Sequence, residues 1–281
     1  MNKLPLPAFS IENYYDILIE NIQKKNAYGP LKPIYQEIKE VLLIEEQNYQ
    51  SFALNGNLKS IPCGILPSEK LSESDMKFLY TKFKNEGRSF YEVLRNNTFF
   101  KKCPYCEKRD VSELDHFLSQ NSYPMFTIIP MNLVPSCHDC NTGKLDKNLE
   151  IIHPYFEDTR KEKWMICEIK VIFQVMVVSY KLSFKNTTFS SDTKKRIINT
   201  VNMFKLHVNY ATWAASLISN KKGVWKSQIQ KGGVFALVNL INEEYKSINS
   251  QMESDNSYKK VFYRSLINYL QQNSPDLSFL Q

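Results

Sequence analysis

The chain has 281 residues, 43% apolar and 23% charged, an ordinary globular composition with room for one large domain or two to three small ones. Its net charge of +7 arises late: residues 151–281 hold 18 basic and 10 acidic side chains, whereas residues 1–100 balance at 12 and 12. The surplus suits a polyanionic partner, although charge alone favours a solvated basic surface. No basic-then-apolar leader is visible, and the most apolar run, 171–180, is too short to span a bilayer; a cytoplasmic protein with no membrane partner is expected.

Residues 10–23 offer Ser10 as a helix N-cap and Ile11, Tyr14, Tyr15, Leu18 and Ile22 at helical spacing. The same period through Ile34, Ile38, Val41, Leu42 and Ile44 predicts a second helix over 31–54. Gly, Pro, Asn and Ser gather at 55–74, which reads as a loop, and shorter helices follow at 74–85 and 89–97. This mostly helical region, 1–100, carries no chemical motif. Its aromatic residues read as core, and its outer faces are free for partner docking.

Beyond residue 150, the β-branched and aromatic segments 164–173 and 175–184 predict two strands. In the second, Val175, Val177 and Ser179 alternate with Met176, Val178 and Tyr180. One or two helices are expected over 190–218, and others over 234–250 and 257–271, before a frayed tail, SPDLSFLQ. The fold class is α+β, divided at 1–100, 101–150 and 151–281: a helical region, a cysteine-bearing core and a basic strand-then-helix region.

Six cysteines in a chain of this length are too few for a disulfide scaffold. Cys63 and Cys167 stand alone and read as small buried apolar residues. Cys103, Cys106, Cys137 and Cys140 form C-x2-C-x30-C-x2-C. A two-residue gap lets both thiolates of a knuckle face one ion, and two knuckles close a tetrahedral shell around a structural Zn²⁺. Paired redox thiols are the alternative, but neither pair opens a helix after a strand. His138, inside the second knuckle, is expected to point outward.

Between and beside the knuckles stand Asp115-His116, Asn132 in NLVPSC, Asn141 directly after Cys140, and Lys144. Phosphodiester hydrolysis needs an activated water, charge relief on the phosphoryl oxygens and help for the leaving oxygen. An imidazole of near-neutral pKa is a natural base, and a hard divalent cation held by oxygens supplies the rest.

In this order, over roughly residues 103–147, these pieces resemble the HNH nuclease family. The resemblance implies a compact ββα-metal fold, here clamped by the four-Cys zinc site. It implies His116 as general base, Asp115 and Asn141 as ligands of a catalytic Mg²⁺ or Mn²⁺, and Asn132 as a brace bonded to backbone. Lys144 falls at a position that often contacts phosphate, although a solvated helix residue accounts for it nearly as well. Many members have proline three residues after the His; here that residue is Ser119, and Pro124 comes later.

Short aromatic motifs over roughly 76–165, including HPYF at 153–156, give a looser resemblance to the nuclease subunit of Septu-type anti-phage systems. This implies an ABC/SMC-like ATPase partner and a defence role. His153 reads either as a brace or as a surface turn residue. The function expected is thus a metal-dependent endonuclease on nucleic acid, with DNA favoured over RNA. Its rivals are a non-catalytic zinc module that binds nucleic acid or protein, and a restriction or homing nuclease acting alone.

Overall fold

In the computed structural model of the chain, the described residues are 1–144, 150–248 and 253–281. The ends of the expected 101–150 core and 234–250 helix, and the last residues of the family resemblance, therefore lie outside them. Helices and small antiparallel strand pairs make an α+β fold in two compact units, Lys3–Glu157 and Asp158–Gln281 with Met1–Asn2.

The first unit opens with a 3-10 turn, Ile11–Asn13, and a short helix α1 (Tyr15–Ile19) rather than one helix over 10–23. The break is at Tyr14, whose backbone (φ −136°, ψ −10°) leaves the helical region just after a capping box in which Asn13 takes the Ser10 N–H at 2.9 Å. A small pair follows, β1 (Lys25–Asn26) and β2 (Gly29–Pro30), then α2 (Leu31–Leu54). The α2 stripe that turns inward is Leu31, Ile34, Tyr35, Ile38, Leu42, Tyr49 and Ala53, with Glu46 among them. Val41 and Ile44, expected in the core, are exposed because they lie beside that stripe.

Helix α3 (Glu73–Asn85) starts from a capping box in which Ser72 and Asp75 exchange hydrogen bonds. It is followed by α4 (Arg88–Asn96) across Gly87, where a Cβ would meet the Phe83 carbonyl oxygen at 2.8 Å. Strands β3 (Glu113–His116) and β4 (Leu133–Ser136) pair antiparallel, Glu113 opposite Ser136 and His116 opposite Leu133, and α5 (His138–Lys144) follows.

Helix α4 packs against both strands, the Tyr14 hydroxyl donates to the Ile128 carbonyl, and Leu4 N–H donates to the Pro154 carbonyl at 2.8 Å. These contacts correct the expected divisions. The helical region and the cysteine-bearing core are one unit, and the break falls after residue 157.

In the second unit β5 (Met165–Ile172) and β6 (Val175–Leu182) form a hairpin closed by Phe173 and Gln174, both left-handed at φ 48° and 64°. Cys167, Met176, Val178 and Tyr180 face the core. Helix α6 (Ser191–Met203) ends where Lys205 turns left-handed at φ 49°, so the expected 190–218 segment is divided.

Helix α7 (Leu206–Ser247) is interrupted at Gly232 and Gly233, the latter at φ 65°. Up to that break, its stretch 219–231, for which no element was expected, is helical and anchored by fully buried Trp225. Helix α8 (Tyr258–Leu270) completes the unit. The tail is not frayed: Phe279 and Leu280 are buried in a 3-10 turn. No helix among the described residues is long and apolar enough to cross a membrane.

Candidate metal centre and adjoining cleft

The first knuckle is a tight loop held by Cys103 N–H to the Arg109 carbonyl at 2.9 Å and Glu107 N–H to the Cys103 carbonyl at 2.8 Å. Glu107 is left-handed at φ 57°, which folds the chain back over the cysteines. In the second knuckle Cys137 leaves β4 and Cys140 sits in the first turn of α5, so this pair does open a helix after a strand, against expectation. It is the gathering of all four sulfurs that favours a metal over a redox pair. All four sulfurs are buried and lie within 4.8 Å of one another, with Cys106 and Cys137 3.9 Å apart.

Zinc bonded to sulfur at about 2.3 Å sets a tetrahedral edge of about 3.8 Å, so the four sulfurs suit such an ion. All six cysteines are free of disulfides. Burial pushes the Cys103 thiol up, while hydrogen bonds from the neighbouring sulfurs pull Cys106 down. Cys167 is buried; Cys63 is exposed, against expectation, on the polar loop between α2 and α3. Arg109 Nε reaches Asp139 Oδ2 at 2.9 Å and ties one knuckle to the other.

Next to this cluster is a cleft of about 550 Å³ lined by Glu113, Asp115 and His116 from β3 and by Asn141 and Lys144 from α5. His116 Nε2 lies 2.8 Å from the Thr127 carbonyl oxygen. A carbonyl only accepts, so Nε2 carries the proton and Nδ1 keeps its lone pair. The Tyr80 ring meets the imidazole edge-on at 4.5 Å. Burial lowers the His116 pKa to about 4, aided by the charges of Lys144 and Lys84 and opposed by the Thr127 bond, so the ring is neutral at pH 7.

Asp115 is buried, and its Oδ1 accepts from Lys144 Nζ at 2.9 Å. Its Oδ2 is buried without a hydrogen bond of normal geometry. Burial raises this carboxyl, and Lys144 pulls it back. Lys144 is 1% exposed and also donates to the His116 carbonyl oxygen. It is therefore neither a solvated helix residue nor an outward phosphate contact: the last turn of α5 places it beneath β3, where a buried carboxylate needs a cation.

Glu113 was not singled out by the sequence. Its Oε1 lies 2.6 Å from His138 Nδ1, and its Oε2 accepts from the Asn141 side-chain amide. His138 is exposed, and the Glu113 contact raises its pKa. One carboxylate thus fixes both side chains at the start of α5. The available signal was position: Glu113 precedes Asp115 by two residues and shares its side of the strand.

Asn132 stands apart from the cleft, fully buried. Its Oδ1 accepts from Leu118 N–H at 2.7 Å and from the Tyr49 hydroxyl at 3.1 Å. Its Nδ2 donates to the Leu118 and Phe126 carbonyls, each at 3.0 Å. His153 is buried too: its Nδ1 accepts from Tyr155 N–H at 3.3 Å, and its Nε2 lies 3.0 Å from the Tyr49 hydroxyl. His153 opens a turn, with its carbonyl accepting from Phe156 N–H at 3.1 Å, but it is buried and so acts as a brace and not as a surface residue. Where the family proline is missing, the Ser119 carbonyl accepts from Tyr123 N–H at 2.8 Å and Pro124 opens a 3-10 turn.

No protein-family model matches the chain, and no solved structure does. Among curated proteins, the chain is similar to protein ea31 of Escherichia phage lambda, with 24% identity over 298 residues spanning 95% of this chain and 97% of that one. The likeness therefore runs through both compact units and is not confined to the strand–strand–helix element.

Proposed function

We propose that the chain is a metal-dependent HNH endonuclease that hydrolyses nucleic-acid phosphodiesters, with DNA the favoured substrate. The observation that carries this reading is the state of His116: a neutral imidazole with Nε2 tied to a backbone carbonyl, in a cleft shared with Asp115 and Asn141. In the reaction His116 Nδ1 accepts a proton from the water that adds to phosphorus. The P–O3′ bond breaks, and O3′ takes a proton from solvent, leaving the 5′-phosphate and 3′-hydroxyl ends that the resemblance implies.

The donors at the cleft suit a hard cation such as Mg²⁺ or Mn²⁺: Asp115, whose buried Oδ2 has no hydrogen bond of normal geometry although Tyr105 also interacts with this carboxylate, and the Asn141 amide oxygen. When bound, such an ion would relieve charge on the phosphoryl and leaving oxygens. Glu113 orients Asn141 for that role. Zn²⁺ in the four-Cys group takes no part in the chemistry and holds the start of α5 against the first knuckle. A cytoplasmic setting goes with a nucleic-acid substrate; the ABC/SMC-like ATPase partner and the anti-phage role rest on the resemblance alone.

One observation favours a second reading, a non-catalytic zinc module that binds nucleic acid or protein: Asp115 already has a cation in Lys144. The two are separated by incubating the purified protein with supercoiled plasmid and Mn²⁺ or Mg²⁺, beside His116→Ala. The nuclease reading expects nicking that is lost with EDTA and in the variant. Equal nicking by the variant overturns the assignment of the base. Binding without nicking, with or without a co-expressed partner, supports the module.

A further inference from the structure

The cleft has a wall that the strand–strand–helix element does not supply. Helix α3, from the region expected to be free for docking, contributes Tyr80 and Lys84, which lie four residues apart on one helix face. The Lys84 ammonium sits 5.5 Å from the centre of the Tyr80 ring, which also meets the His116 imidazole at 4.5 Å and the Phe83 ring at 6.3 Å.

Lysine neighbours of this wall are already engaged. Lys144 is sealed against Asp115, Lys82 pairs with Glu86 at 2.7 Å, and Lys24 approaches Asp75 at 3.5 Å. No carboxylate pairs with Lys84 among the described residues, and its side chain is exposed at the cleft. A cation held only by a ring face stays available to an anion. An anion entering between Lys84 and Asn141 would lie against His116.

We propose that Lys84 binds a backbone phosphate of the nucleic-acid substrate, with Tyr80 holding it in line with His116. The role expected of Lys144 thus passes to a side chain about sixty residues earlier, on a different element. This inference rests on the nuclease reading and adds to it the residue that engages the substrate backbone.

The test is equilibrium binding of a fluorescently labelled short DNA duplex to the full chain over a range of salt, with Ca²⁺ replacing Mg²⁺ so that binding is read without cleavage. Lys84→Ala is expected to weaken binding several-fold at low salt and to reduce the slope of log K against log salt by about 0.9, the share of one phosphate contact. Lys84→Arg should restore the slope, and Lys82→Ala should leave it unchanged. Wild-type slope and affinity in Lys84→Ala, or an equal loss in Lys82→Ala, overturn the assignment. Failure of the wild type to bind duplex at low salt overturns the nucleic-acid reading along with it. Plasmid nicking by Lys84→Ala at the wild-type rate and KM overturns this inference while leaving the nuclease standing.

Discussion

Lys144 Nζ lies 2.9 Å from Asp115 Oδ1, and both side chains are almost wholly removed from solvent. Such a pair is costly to break from one side, because the remaining charge stays buried without a counterion. Lys144→Met is therefore expected to destabilise the Lys3–Glu157 unit by about 3–5 kcal/mol. Asp115→Asn in the same background should recover part of the loss. Urea unfolding of the two single variants and the double variant measures the coupling; a loss under about 1 kcal/mol in Lys144→Met would deny the pair its structural role.

Asn132→Ala removes the partner of Leu118 N–H, of the Leu118 and Phe126 carbonyls and of the Tyr49 hydroxyl in one step. Each buried group left unsatisfied costs about 1–3 kcal/mol, so the variant is expected to lose several kcal/mol or fail to accumulate folded. Tyr49→Phe deletes the hydroxyl shared by Asn132 and His153 and should cost about 1–3 kcal/mol. Thermal unfolding followed by circular dichroism ranks the two. A milder loss in Asn132→Ala than in Tyr49→Phe would contradict the network.

Elemental analysis of the purified chain should find about one zinc per molecule, the occupancy of a single four-sulfur shell. Cys137→Ser or Cys140→Ser should lose it, and exposed Cys63→Ser should keep it. Chelation should raise amide exchange in α5, which begins between two ligands. Full zinc retention in both knuckle variants would rule the cluster out as the site.

Glu46 supplies a pH dependence. It sits in the apolar stripe of α2, and burial raises its pKa from the ordinary 4.5 to about 7, against the Ile11 N–H bond that lowers it. The folded state thus prefers the proton that the unfolded chain has already released. The corresponding stabilisation is complete below pH 4.5 and is lost as pH rises through 7, a change of up to about 3 kcal/mol. Glu46→Gln should flatten that fall while keeping an acceptor for Ile11. Parallel pH–stability curves for wild type and variant would refute the assignment.

What could be read from the chain in advance was what local spacing encodes. The knuckles, the Asp-His step and the asparagine after Cys140 are short-range patterns, and the structure gathers Asp115, His116 and Asn141 at one cleft. Helix α2 was legible because its apolar period persists for 24 residues. The same reasoning ran two elements together at residues 10–23, since the apolar period continues through Tyr14 while the backbone there leaves the helical region. Lys144 was misplaced because a lysine on a short helix ordinarily reaches water, and only the tertiary fold reveals a buried carboxylate beneath it. Tyr80 and Lys84 were illegible for a related reason: they are remote in sequence, and nothing in a helix period marks the turn that faces a histidine.

The strands β3 and β4 are joined by 16 residues, 117–132, most of them buried. Connections between hairpin strands usually lie on the surface, where they accept insertions and are the first points nicked by proteases. This one is wrapped around the Asn132 carboxamide and carries Thr127, whose carbonyl sets the His116 tautomer. It should resist chymotrypsin as a strand would, and change in its length would alter the protonation of the ring that immediately precedes it. Freedom to lengthen during evolution belongs instead to the exposed turn at Tyr28 and to the polar stretch between α2 and α3.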